Sequence, residues 1–311
     1  MKTQRLWMAA LVAITLGALP GWAQAPAKAA APTQSVDDEE LKLYALNSLR
    51  NNTPEEAIPM LERMLKSSAS MKLKDKALSV LASYETTRAR EVVATVARDG
   101  ADRELQLKAL RYLGRMEGEG TRKILADIYA GSKDIEVKKV VIRSLHSADD
   151  TARLEALART EPDQELRIYA IRHLGAQEAQ NALRQLFDAE QNFDVKAQIL
   201  RALAVAEDQE KLAQVARTDK DPKMRREAVK QMSILDSTQV GETLVALYGS
   251  ESDVEVRKEA LRSLARQENA KALVTVARAE KDPELKKYAV SRLSQMRSKE
   301  ATDFLVELLN K

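Results

Sequence analysis

The chain has 311 residues, with 50 Lys plus Arg against 47 Asp plus Glu, 2 His, no Cys, 2 Trp, 7 Tyr and 3 Phe. Without Cys it can build no disulfide framework, thiolate metal site or thiol nucleophile. A formal net charge of +3 is too close to balance for bulk nucleic-acid binding, and it falls to +1 if Lys2 and Arg5 are lost with the leader that opens the sequence.

Residues 1–25 have the three parts of a secretory signal: a basic start at Lys2 and Arg5, an apolar run from Leu6 to Leu19, and Pro20-Gly21 ahead of Ala23-Gln24-Ala25. The run is 14 residues long, whereas a membrane-crossing helix needs roughly 20. Cleavage is therefore expected, and Trp7 and Trp22 would leave with the leader. No Cys follows to accept a lipid anchor, and no later segment reads as a span. The mature chain is expected to be exported, periplasmic in a Gram-negative cell, without stable membrane insertion. Residues 26–36, PAKAAAPTQSV, read as a flexible Ala/Pro-rich lead into a folded part covering residues 37–311.

One pattern fills that part: acidic, x, acidic, apolar, basic, x, x, Ala, apolar, basic, x, Leu. Clear copies are DRELQLKALRYL from Asp102, DIEVKKVVIRSL from Asp134, DQELRIYAIRHL from Asp163, DPKMRREAVKQM from Asp221, DVEVRKEALRSL from Asp253 and DPELKKYAVSRL from Asp282. Weaker copies start at Asp38, Ser70 and Asn192, giving nine, spaced by 32 or 29 residues. A fixed period of this size means stacked supersecondary units.

Each copy opens as a helix does. The first-place Asp can cap free backbone N–H groups, Pro222 and Pro283 occupy the first helical position, and Glu at the third place favours the positive end of the dipole. Apolar residues at the fourth, eighth, ninth and twelfth places, as in Val256, Ala260, Leu261 and Leu264, cover one broad arc. A small residue such as Gly114, Gly175, Ala204 or Ser233 often follows. Between copies runs a second amphipathic helix, with apolar triplets such as Val93, Val96, Ala97; Leu154, Leu157, Ala158; Leu212, Val215, Ala216; and Leu273, Val276, Ala277. The longer units place their three extra residues before it, as in GRMEGEG from Gly114. No window alternates as a strand does, so the expected fold is all-α.

The repeat resembles the HEAT family, especially the short bacterial HEAT-like repeats also found in bilin-attaching lyases. The family's turn Asp matches Asp102, Asp134, Asp163, Asp221, Asp253 and Asp282, and its basic residue four places on matches Lys138, Arg167, Arg225, Arg257 and Lys286. Gln106, Ser70 and Asn192 depart from the pattern, so the polar ladder between repeats should be weakest there. The resemblance implies an α-solenoid of about nine stacked helix pairs, with the helix after the turn Asp on the concave side. On a helical wheel the basic fifth place lies about 100° from the fourth, within the packed arc. Its stem is expected to pack while its head reaches a neighbouring Asp or a helix carboxyl end.

The tenth place lies nearly opposite that arc, about 240° round the wheel, and holds Arg111, Arg143, Arg172, Arg201, Lys230 and Arg262 in six successive copies. Glu227 and Glu259, three residues earlier, offset the last two; the first four have Lys108, Val140, Tyr169 and Gln198 there instead. With Leu107, Ile168 and Ala197 on adjacent outward positions, an apolar strip is expected beside the Arg row. Four helices at about 8–10 Å spacing span roughly 30 Å, enough for an extended peptide or a helix face. Arg111, Arg143, Arg172, Arg201, Leu107, Val140, Ile168 and Tyr169 are thus the candidate contacts for an acidic, partly apolar protein or peptide.

Chemistry of other kinds is thinly represented. His146 and His173 fall on adjacent copies but lack the Cys or fixed carboxylate that would complete a metal set. Gly118 and Gly120 have no phosphate-loop spacing, and the many acids are accounted for by caps and helix surfaces. No catalytic residue, cofactor, metal or nucleic-acid partner is expected. The function expected is that of an exported scaffold or adaptor for a protein partner; the alternatives are a bilin-lyase-like enzyme, implied only by the resemblance, and a structural envelope spacer.

Overall fold

The computed structural model describes residues 36–99, 101–235 and 238–310; the leader and all but the last residue of the Ala/Pro-rich lead lie outside them. The described residues form nine helix pairs and no strand: α1 (Val36–Ser48) with α2 (Pro54–Lys66), α3 (Met71–Leu81) with α4 (Thr87–Arg98), α5 (Arg103–Leu113) with α6 (Glu119–Gly131), α7 (Ile135–Ser147) with α8 (Thr151–Thr160), α9 (Gln164–Ala176) with α10 (Gln180–Ala189), α11 (Phe193–Val205) with α12 (Gln209–Thr218), α13 (Pro222–Met232) with α14 (Thr238–Ser250), α15 (Val254–Arg266) with α16 (Ala270–Ala279), and α17 (Pro283–Leu293) with α18 (Lys299–Leu309). No helix among them is long and apolar enough to cross a membrane.

The first-place residues start these helices as expected. Asp102 accepts from the backbone N–H of Leu105 at 3.1 Å, Asp134 from Glu136 at 2.8 Å, Asp163 from Leu166 at 3.0 Å and Asp253 from Glu255 at 2.9 Å. Asn192 and Ser70 cap α11 and α3 in the same way. Asp38 does not, because α1 begins at Val36; Asp38 lies within its first turn and pairs with Lys42 at 2.8 Å.

Helix direction then sets two layers. Each odd-numbered helix packs against the next odd-numbered one along the whole stack, whereas α6 with α8 and α10 with α12 barely touch. Closer axes in one layer bend the stack toward it, so the odd-numbered helices form the inner, concave side of an α-solenoid. Small residues permit that approach. A Cβ on Gly114 would lie 2.7 Å from Ser144 Cα, and one on Gly175 would lie 2.9 Å from the Ala202 carbonyl oxygen. Ser144 Oγ also donates to the Leu110 carbonyl at 2.8 Å and Ser263 Oγ to that of Val229 at 3.2 Å, so both buried hydroxyls are satisfied across the seam.

The core lies between the layers and is continuous. Val256, Ala260, Leu261 and Leu264 are fully buried, as are Leu154, Leu212, Ala216, Leu273 and Ala277 from the outer layer; Val96 and Leu157 are half-buried.

Unit length is decided where an inner helix ends. In four 29-residue units a non-glycine residue takes a left-handed conformation at the same place: Asp149 (φ 52°), Glu178 (φ 54°), Glu207 (φ 56°) and Glu268 (φ 52°). The next N–H bonds back into the helix, Asp150 to Leu145, Ala179 to Leu174, Asp208 to Leu203 and Asn269 to Leu264, closing a Schellman-type end that leads directly into the outer helix. The longer unit from Asp102 uses its extra residues instead; Gly118, at φ 104°, starts α6 while Arg90 donates to the Glu117 carbonyl at 3.0 Å. The glycines of that EGEG segment thus serve a turn.

Candidate partner-binding surface

Arg111, Arg143, Arg172 and Arg201 are all exposed and lie on α5, α7, α9 and α11, four adjacent helices of the inner layer. Their bonding differs. Arg143 donates to Tyr169 Oη from Nε at 3.3 Å and from Nη2 at 2.8 Å, and Arg172 donates to Gln198 Oε1 at 3.4 Å. Arg111 and Arg201 hold no hydrogen bond or ion pair among the described residues. Farther along, Lys230 pairs with Glu227 at 3.2 Å and Arg262 with Glu259 at 2.9 Å, the local offsets expected from their spacing.

Three contacts share one register, the tenth place of one copy reaching the seventh place of the next. They are Arg143 to Tyr169, Arg172 to Gln198 and Arg262 to Tyr288, the last at 2.7 Å. A single-helix wheel does not contain this relation, which comes from two inner helices lying side by side. The same packing corrects the expected apolar strip. Val140, at the seventh place of its copy, is only 6% exposed because the neighbouring inner helix covers a short side chain there. Leu107 and Tyr169 are half-buried and rest on the core, and Ile168 is half-buried. The surface is therefore an Arg row over partly covered apolar groups, with Tyr169 Oη already engaged by Arg143.

The two histidines meet beside Tyr169. Their rings are 4.9 Å apart, and the Tyr169 ring sits edge-on to His173 at 4.8 Å. Burial first, then the His146 ring and the Arg143 charge, lower the pKa of His173 to about 4, so it is neutral near pH 7. No cluster of three or more metal-ligating side chains occurs among the described residues.

The fifth-place bases take the structural role expected of them, with partners now identified. Four of them reach an acid just past the end of the outer helix that follows: Lys138 to Glu161 at 3.5 Å, Arg167 to Glu190, Arg225 to Glu251 at 2.8 Å, and Arg257 to Glu280. Lys196 approaches Asp219 at 3.9 Å although its copy begins with Asn192, and Gln106 donates to the Ala97 carbonyl at 3.1 Å. Lys286 has no such partner among the described residues. Tyr129 donates to Glu161 at 2.5 Å beneath Lys138, and Tyr248 donates to Glu280 beneath Arg257. Burial, then the adjacent carboxylate, push both phenols up. The hydrogen bond from Arg225 holds Glu251 below the usual carboxylate range. The ion pairs tie the two helices of one unit together, and the bonds from Tyr129 and Tyr248 carry Glu161 and Glu280 across to the unit before.

Residues 181–265 match the family model of HEAT repeats. No curated protein matches the sequence. Among solved structures, the complex of CpcE and CpcF of phycocyanin lyase from Nostoc sp. is similar at 18% identity and a TM-score of 0.33, over 79% of this chain and 96% of that one. Human deoxyhypusine hydroxylase is similar at 17% identity and a TM-score of 0.33, over 77% and 93%. Importin beta is similar at 13% identity and a TM-score of 0.40, over 82% of this chain and 42% of that one. Among the described residues the same helix-pair architecture continues on both sides of the matched stretch, so that residues 181–265, which match HEAT repeats, are part of one all-α solenoid.

Proposed function

We propose that this protein is an exported scaffold that holds an extended acidic, partly apolar protein segment against its concave layer. The observation carrying this reading is the row of Arg111, Arg143, Arg172 and Arg201 on four adjacent inner helices, with Arg111 and Arg201 left unpaired. Charge on such a row governs encounter, and the half-buried Leu107, Ile168 and Tyr169 govern how long a bound segment stays. The buried acids are tied into caps and ion pairs, which favours binding over acid/base chemistry. Export is supported by the order of basic, apolar and small-residue stretches in residues 1–25.

Affinity capture from the native envelope fraction, with the mature chain beside an Arg111→Glu/Arg201→Glu variant, tests the binding. A partner held by the first, lost from the second and weakened by salt is the expected result. Equal recovery by both would favour the spacer reading or another face. Intact mass of the envelope protein tests export: a chain beginning at Ala25 or Pro26, without Trp, is expected, and a full-length membrane-embedded chain would contradict it.

A further inference from the structure

At the C-terminal end of the inner layer, α15, α17 and the start of α18 line a half-open cavity of about 560 Å³. Four guanidinium groups line it, those of Arg262, Arg266, Arg292 and Arg297, against one lining carboxylate, Glu268. Arg262 and Arg266 are both held by Glu259, at 2.9 and 2.8 Å, which fixes their position while neutralising only one of the two charges. Arg292 and Arg297 have no hydrogen bond or ion pair among the described residues, and Nε of Arg292 is buried without a partner. Arg292 lies 4.9 Å and Arg262 5.5 Å from the centroid of the Tyr288 ring, so two of the cations share one aromatic neighbour.

An excess of positive charge held in a concavity, with buried donor capacity unused, calls for an anion. We propose that this cavity binds a phosphate monoester. Guanidinium forks pair with phosphate oxygens in bidentate fashion, and a monoester offers three free oxygens and nearly two charges near neutral pH, enough for Arg292 and Arg297 together. A lone carboxylate offers two oxygens and one charge. The cavity far exceeds the roughly 30 Å³ share of a water molecule, leaving room for the organic part of the ester beside Ser298 and Gln295. Glu268 at the lining disfavours a second anionic group there. This site does not depend on the partner-binding row, since its two unpaired cations lie on and beyond α17.

Isothermal titration of the full chain with inorganic phosphate, at fixed ionic strength in chloride, tests the proposal beside Arg297→Gln and Arg292→Gln/Arg297→Gln variants. Arg297 is exposed and holds nothing in the fold, so its variant keeps the test valid if loss of Arg292 unsettles α17. Saturable binding that weakens about tenfold or more in Arg297→Gln, with unchanged helix content, is expected. Absence of saturable phosphate binding to the intact chain, or equal affinity in both variants, overturns the proposal. Flotation with phosphatidylcholine vesicles containing phosphatidic acid distinguishes sources. Flotation displaced by inorganic phosphate assigns a lipid headgroup, and titration without flotation assigns a soluble ester. A tetraglutamate peptide that binds more tightly than phosphate and is not displaced by it overturns the ligand class.

Discussion

Arg143 on α7 grips Tyr169 on α9 through two donors, Nε at 3.3 Å and Nη2 at 2.8 Å from the one phenolic oxygen. The pair spans the seam between two repeats at an exposed cation, where such contacts contribute about 1 kcal/mol or less. A Tyr169→Phe change keeps the ring against His173 and removes only the acceptor. Urea unfolding should shift by less than about 1 kcal/mol. A loss of several kcal/mol would show that this contact, and not the core beneath it, ties the repeats together.

The two faces of α9 give a sharper contrast. Leu174 is fully buried, and Arg172, two residues earlier, is exposed. Leu174→Asp should destabilise the stack by about 3 kcal/mol or more and unfold neighbouring units with it, because a charge would replace apolar contacts to both layers. Arg172→Asp should leave helix content and the melting temperature nearly unchanged. Circular dichroism melts of the two variants check this, and similar large losses would contradict the assigned helix phase.

Much of this architecture was legible because its causes are local. An Asp, Asn or Ser at the first place caps the helix that follows in every copy but the first, and four apolar places fix which face is covered, so the nine units could be read from spacing alone. Relations between units were hidden. Glu161 lies 32 residues beyond Tyr129, and nothing near either marks them as partners. Val140 is covered by a neighbouring helix that its own wheel does not include. The Arg pocket escaped for the same reason: Arg266, Arg292 and Arg297 share no repeat place and converge only when α15, α17 and α18 stack. The left-handed helix ends carry Asp and Glu where glycine would have signalled them.

Those ends yield a stability gain on substitution. Glu207 is exposed, makes no side-chain bond among the described residues, and has a φ of 56°. A side chain in that region costs about 1–2 kcal/mol, part of which glycine returns to the unfolded chain as entropy. Glu207→Gly should therefore stabilise the solenoid by about 0.5–1 kcal/mol in denaturant unfolding. A destabilised variant would mean that the carboxylate, and not the turn, is what the position requires.

Acid should act through His173. Its folded pKa, about 4, lies below the ordinary value of 6.5, so between those values the unfolded chain binds more protons than the folded one. Stability should fall as pH drops from 6.5 toward 4 and should lose this contribution to the slope below that. The groups facing the ring are His146, Arg143 and Tyr169, and none supplies a negative charge to hold the imidazolium. Melting temperatures across this range should fall less steeply for His173→Gln than for the intact chain. Equal slopes would remove His173 from the acid response.

The central claim, that the concave layer holds a protein partner, is tested most directly by site-specific photo-crosslinking in the native cell. A photoreactive residue placed at position 172 reports on the inner layer, and one at position 217, an exposed site on α12, reports on the outer layer. A discrete protein adduct is expected from 172, absent from 217 and lost when Arg111 and Arg201 are both changed to Glu. Adducts from 217 alone, or an adduct at 172 that survives the double charge reversal, would contradict the account.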